Sequence, residues 1–109
     1  MSTLFLLSYR APKDATGGSA DAIAAWNAWF ERLGGNLVDR GNPVVAASSL
    51  GNCGTDTVLG GYSLVTADDL QAAVALAKGC PFLQHDGGVE VGELTLLNRG
   101  TRLIVQDPA

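Results

Sequence analysis

The chain has 109 residues, 47% hydrophobic and 17% charged, the profile of one globular domain rather than a disordered or collagen-like polymer. A formal net charge of -4 argues against a nucleic-acid backbone or an anionic membrane as partner. No apolar run approaches the roughly 18 residues of a membrane span, and the start, Met1-Ser2-Thr3 then Leu4 to Leu7, shows neither a basic leader nor a cleavage pattern.

Thr3 to Tyr9 is a nearly continuous apolar run, which predicts a strand covered on both faces. A loop with Pro12, Gly17 and Gly18 follows, and Ser19 is placed to cap a helix over Ala20 to Leu33. At 100° per residue, Ala22, Ile23, Trp26, Trp29, Phe30 and Leu33 share one apolar arc, and Gly34 and Gly35 supply the C-terminal stop. Leu37-Val38 and Val44 to Ala47 have strand character, interrupted by Gly41, Asn42 and Pro43, and Ser48 to Asp56 reads as loop.

Tyr62 to Val65, led in by Val58, Leu59 and two glycines, predicts another strand. Thr66-Ala67-Asp68-Asp69 matches a capping box, with Leu70, Ala73, Val74 and Ala77 as the stripe of a second helix that Gly79 and Pro81 stop. Val89 to Leu97 is a last strand whose apolar parity changes near Gly92, so a bulge or bend is expected there. After the turn-like Asn98-Arg99-Gly100, Leu103 to Val105 could add an edge strand.

The order strand, helix, strand, strand, helix, strand predicts an α+β fold. It is the ferredoxin-like split βαβ plait (βαββαβ), an antiparallel sheet with two helices on one face. Leu4 and Leu6 are apolar as well as Phe5, Leu7 and Tyr9, so the face left open by the helices needs a cover. A second copy of the chain is the expected partner, since two-fold dimers are the commonest oligomers.

Trp26 to Gly34, Leu37 to Pro43, Gly61-Tyr62-Ser63, Lys78-Gly79-Cys80-Pro81 and Gly87-Gly88-Val89-Glu90-Val91 together resemble the YCII-related family. The resemblance covers about residues 3–97 and leaves 98–109 as a C-terminal extension of a single domain, 1–109. It implies a dimeric α+β barrel in a small bacterial cytoplasmic protein. No single activity comes with it. Some relatives are proposed enzymes with a histidine–aspartate pair, and the wider fold includes cofactor-independent oxygenases. Members with this pattern often carry a histidine after the Gly-Cys-Pro. This chain has Phe82 there, its one histidine is His85, and the DGPF signature of another branch is absent.

His85 and Asp86 are the candidate catalytic residues, because an imidazole titrates near neutral pH and a carboxylate can orient it. A histidine on a polar loop is more often simply solvated. Trp26, Trp29 and Tyr62 are the candidate ligand-binding residues. At helical spacing on an apolar stripe the two tryptophans read first as core, with Ile23 and Leu33 extending the same stripe, and as the wall of an aromatic pocket second. If Trp26 is core, emptying it would cost about 3–5 kcal/mol.

Cys53 and Cys80 have no CxxC or ligand-spaced histidine near them and are expected to be reduced. No metal site and no cofactor is expected, since one histidine with scattered acids makes no ligand set. Asp68 and Asp69 suit a helix N-terminus better than a paired-carboxylate site, and neither Gly17-Gly18-Ser19 nor Gly51 to Gly54 matches a phosphate loop. Three readings follow. The chain binds a small organic ligand in a pocket between sheet and helices, or it is a cofactor-independent enzyme using His85 for proton transfer, or it is a dimeric protein-interaction module. Itself and a small molecule are the expected partners, with no nucleic acid and no membrane.

Overall fold

A computed structural model describes residues 2–14 and 19–95. Its elements are β1 (Thr3–Pro12), α1 (Ala20–Leu33), β2 (Leu37–Asp39), β3 (Thr57–Ala67), α2 (Leu70–Ala77) and β4 (Gly88–Glu93), with short 3-10 turns at Gly34–Asn36 and Pro81–Gln84. The strands form one sheet in the order β2-β3-β1-β4, and each neighbouring pair is antiparallel. This is the expected split βαβ plait. The suggested edge strand at Leu103 to Val105 and the extension 98–109 lie outside the described residues. Among those residues no helix is long and apolar enough to cross a membrane.

Alternation along β1 and β3 sets the core. Phe5, Leu7 and Tyr9 are buried, as are Ser63 and Val65 opposite them, and they pack with Trp29 and Leu33 of α1 and Ala73 and Ala77 of α2. Among the described residues Ser63 is the one polar residue at this depth. Its hydroxyl accepts from the Tyr9 phenol at 2.7 Å and donates to the Arg40 carbonyl at 2.6 Å, so both buried hydroxyls are paired. Burial pushes the Tyr9 phenol far above its ordinary value, against the opposing effect of the Ser63 bond, and Cys80 adds to the rise.

Ser19 caps α1 as expected, accepting from the Ala22 N–H, and Gly34 ends the helix at a positive φ of 54°. The second cap differs from the expected one. β3 runs on through Ala67, so Thr66 stays in the sheet, and Asp69 itself caps α2 by accepting from the Ala72 N–H at 2.8 Å. The buried stripe of α2 is also rotated. Ala73 and Ala77 are buried with Ala72 and Leu76 beside them, while Leu70 and Val74 are 47% and 40% exposed. Small side chains at the contact let the helix lie close to the sheet, which the two larger residues would prevent.

Two sheet expectations are corrected as well. Val44 to Ala47 is not a strand, because its neighbour Pro43 makes only an isolated bridge to Gly61 and Val45 is 95% exposed. β4 pairs with β1 without a register shift from Gly88 to Glu93, so there is no bulge at Gly92. The parity changes because the apolar side of the sheet changes. Val89 and Val91 pair with Tyr9 and Leu7 on the helix face, whereas Leu94, donating to the Leu4 carbonyl at 2.9 Å, joins Leu4 on the open face. The register shifts of this sheet are elsewhere, one between Leu37 and Asp39 of β2 and one at a bulge between Tyr9 and Arg10 opposite Gly60.

Candidate functional site

That bulge shapes a cavity. Tyr9 pairs with Gly61 and Arg10 with Leu59, which leaves Gly60 unmatched. Gly61 sits at a φ of 151°, where a side chain is strained, and a Cβ there would stand 2.9 Å from the Asn42 carbonyl oxygen. Across from it Gly41, at φ 70°, brings its backbone so close to β3 that a Cβ would lie 1.8 Å from the Tyr62 carbonyl oxygen. Residues 40–43 therefore form a strap pressed on β3 just beyond β2. The strap is tied by the Val44 N–H donating to the Gly60 carbonyl, the Gly41 N–H to the Asp39 carboxylate, and Ser63 to the Arg40 carbonyl.

Only the C-terminal half of α1 is seated on the core. Trp29 and Leu33 are buried, Trp26 and Phe30 are half-buried, and Ile23 is 56% exposed. The stripe thus stops short of a continuous core: Ile23, expected inside it, faces out, while Trp26 packs against the core and stays half-buried. Between the Ile23 to Phe30 stretch of the helix, the bulge and the strap lies a half-open cavity of about 450 Å³, within the ~300–1,000 Å³ typical of small-ligand sites.

Its aromatic walls converge on Trp26, whose ring meets Tyr9 edge-on at 4.8 Å and Phe82 at 5.0 Å, with Phe30 at 5.8 Å. Phe82 belongs to the Pro81–Gln84 turn, and it packs against Gly60, where a Cβ would come within 3.0 Å of the ring. Polar groups are few. Asn27, Arg40 and Asn42 line the cavity, and Asn42 donates to the Tyr62 hydroxyl at 3.2 Å. Such a lining can enclose a flat apolar body and orient it by a small number of hydrogen bonds.

Of the residues singled out in the sequence, Trp26 and Tyr62 line this cavity together. Trp29 stands behind it at 1% exposure, and its indole N–H donates at 3.2 Å to the Leu76 carbonyl near the end of α2, which also accepts from the Gly79 N–H. His85 and Asp86 are both exposed, on the turn leading into β4, and neither lines the cavity. Asp86 has a positive φ of 63° and borders a shallow polar hollow with Lys13, Asp14 and Asp56.

Both cysteines are free. Cys53 is exposed, and Cys80 is buried with its thiol pushed up by desolvation. Tyr9, Phe30, Arg40, Asn42 and Phe82 also line the cavity but were not among the site residues named from the sequence. The signal available was the polar, turn-forming run Asp39-Arg40-Gly41-Asn42-Pro43 between two apolar segments.

No curated protein and no solved structure matches the chain. A family model does, over residues 3–98, under the description YCII-related domain. With the plait and nearly the whole length accounted for, the chain belongs to the YCII-related family.

Proposed function

We propose that this protein binds a small organic molecule in the cavity between α1, the β3 bulge and the 40–43 strap, with Trp26 and Tyr62 among the contacts. One observation carries the reading: an aromatic cavity of about 450 Å³ is held open by glycines whose backbone approaches leave no room for side chains. Cavity walls built this way do not close by a rotamer change. The site carries no nucleophile-and-base pair, and the reading gives His85 no part in binding.

Titration with 2-naphthylmethanol, followed by the fluorescence of the two tryptophans, tests the proposal. Saturable binding is expected, unchanged in His85→Asn and about ten-fold weaker in Ile23→Asp, which puts a charge on an exposed apolar wall at little cost to folding. Binding that survives Ile23→Asp and fails in His85→Asn would move the site to the Pro81–Gln84 turn.

The same reading includes a homodimer formed through the open sheet face. Leu4, Leu94 and Leu59 are 36%, 37% and 41% exposed around the half-buried Leu6 and Leu64, an apolar surface that favours association. Light scattering on a sizing column should give about twice 11.2 kDa and half that for Leu6→Glu. A monomeric wild type at micromolar concentration would overturn the dimer and leave the cavity proposal untouched.

A further inference from the structure

We infer that the cavity is selective for a flat aromatic molecule carrying a carboxylate or similar anion, with Arg40 as the residue that reads the charge. The inference rests on the cavity reading above and adds the ligand's chemistry. Among the described residues Arg40 is the one charged side chain lining the cavity, and no carboxylate lines it. This is unexpected on composition, since the chain has 11 acidic and 7 basic residues. An acidic protein that keeps acids off a cavity wall and places a guanidinium there offers an anion a local exception to its overall repulsion.

Arg40 is held in place before any ligand arrives. Its carbonyl accepts from Ser63, itself fixed by the buried Tyr9 phenol. Its Nη2 donates to Asn27 Oδ1 at 2.7 Å, and its guanidinium lies over the Phe30 ring, 4.7 Å from the centroid. The neighbouring Asp39 carboxylate accepts from the Gly41 N–H at 2.8 Å rather than from Arg40. A guanidinium has five N–H donors, and one is used by Asn27. The others can meet a carboxylate by the two-pronged geometry that suits arginine.

Aromatic walls by themselves would also suit a quaternary ammonium ligand, which such cages bind by cation–π attraction. Here the Phe30 face is already covered by Arg40, and the positive charge opposes a second cation in a space this small. The ring system then serves to stack the arene, and Asn42, bonded to the Tyr62 hydroxyl, supplies a neutral donor near the strap.

Three probes of similar size separate the possibilities: 2-naphthoate, 2-naphthylmethanol and 2-naphthyltrimethylammonium, each titrated by tryptophan fluorescence at low and high salt. The naphthoate is expected to bind about ten-fold tighter than the alcohol, with the advantage shrinking in high salt and the ammonium binding weakest. Arg40→Gln should abolish the naphthoate advantage, so that naphthoate and alcohol bind this variant equally within about two-fold. Equal binding of naphthoate and alcohol by the wild-type protein would overturn the anion preference and leave the cavity proposal standing. Tightest binding of the ammonium would overturn it as well. Binding of none of the three would overturn both proposals.

Discussion

Trp29→Ala is expected to cost about 3–5 kcal/mol of folding stability, the usual result of emptying a large buried aromatic site. Trp29 is 1% exposed, its ring meets Tyr9, Trp26 and Phe30 within 6.0 Å, and its indole N–H caps the Leu76 carbonyl. The indole also lies flush on the backbone at Gly79, where a Cβ would stand 2.7 Å from it. Truncation therefore opens a void that neither helix can fill and takes one donor from the Leu76 carbonyl, which keeps only backbone donors such as the Gly79 N–H at 3.5 Å. For a domain with about 5–15 kcal/mol in total, such a loss leaves little folded protein on warming. Trp26→Ala, three residues earlier, should cost only about 1–2 kcal/mol, because one side of that ring already faces an open cavity. Urea titrations of the two variants decide the matter. Equal losses would mean that Trp26 is core after all and that the cavity wall is misassigned.

Gly41→Ala should be the most damaging small substitution at the site, at about 2–4 kcal/mol. The residue holds a φ of 70°, strained for any side chain, and the new methyl would meet the Tyr62 carbonyl oxygen at 1.8 Å. The contact is backbone, so no rotamer relieves it, and the strap must lift from β3. Lifting it breaks the Ser63 bond to the Arg40 carbonyl and carries the guanidinium away from Phe30. Ligand binding and stability should fall together. Gly51→Ala makes the control, since Gly51 has a similar φ of 73° but nothing within 4 Å of its Cβ position. If the two variants melt alike, backbone strain accounts for the loss and the close approach of the strap does not.

Much of the fold was legible because it rests on periodicity. The stripe from Ala22 to Leu33 and the cap at Ser19 define α1 to the residue, and the alternation in β1 shows that both sheet faces are apolar. Reading failed where equal hydrophobicity hides unequal size. Leu70 and Val74 fit the period of α2 as well as Ala72 and Leu76 do, yet packing distance selects the side with the alanines. The apparent kink at Gly92 failed for a related reason, since Leu94 is apolar toward the open face and not the core.

The site was half legible. Trp26 and Tyr62 stand out by residue type, but Tyr9, Arg40 and Phe82 reach the cavity from three distant segments. They meet through a bulge at Gly60 that reads in sequence only as one of two glycines leading into a strand. Phe82 in particular directly follows Gly79-Cys80-Pro81, on the turn that leads to His85. In this chain the position contributes an apolar wall and not a proton donor.

The most direct test of the cavity as a binding site is the pair of indole N–H resonances in a two-dimensional ¹H–¹⁵N spectrum, one from Trp26 and one from Trp29. On addition of 2-naphthoate the Trp26 signal, on the cavity wall, should move progressively and saturate. The Trp29 signal, bonded to the Leu76 carbonyl and sealed from solvent, should move far less, and the backbone amides of 40–43 and 60–62 should shift with Trp26. Saturable shifts confined to His85, Asp86 and the turn around them, with the Trp26 indole unmoved, would contradict the account.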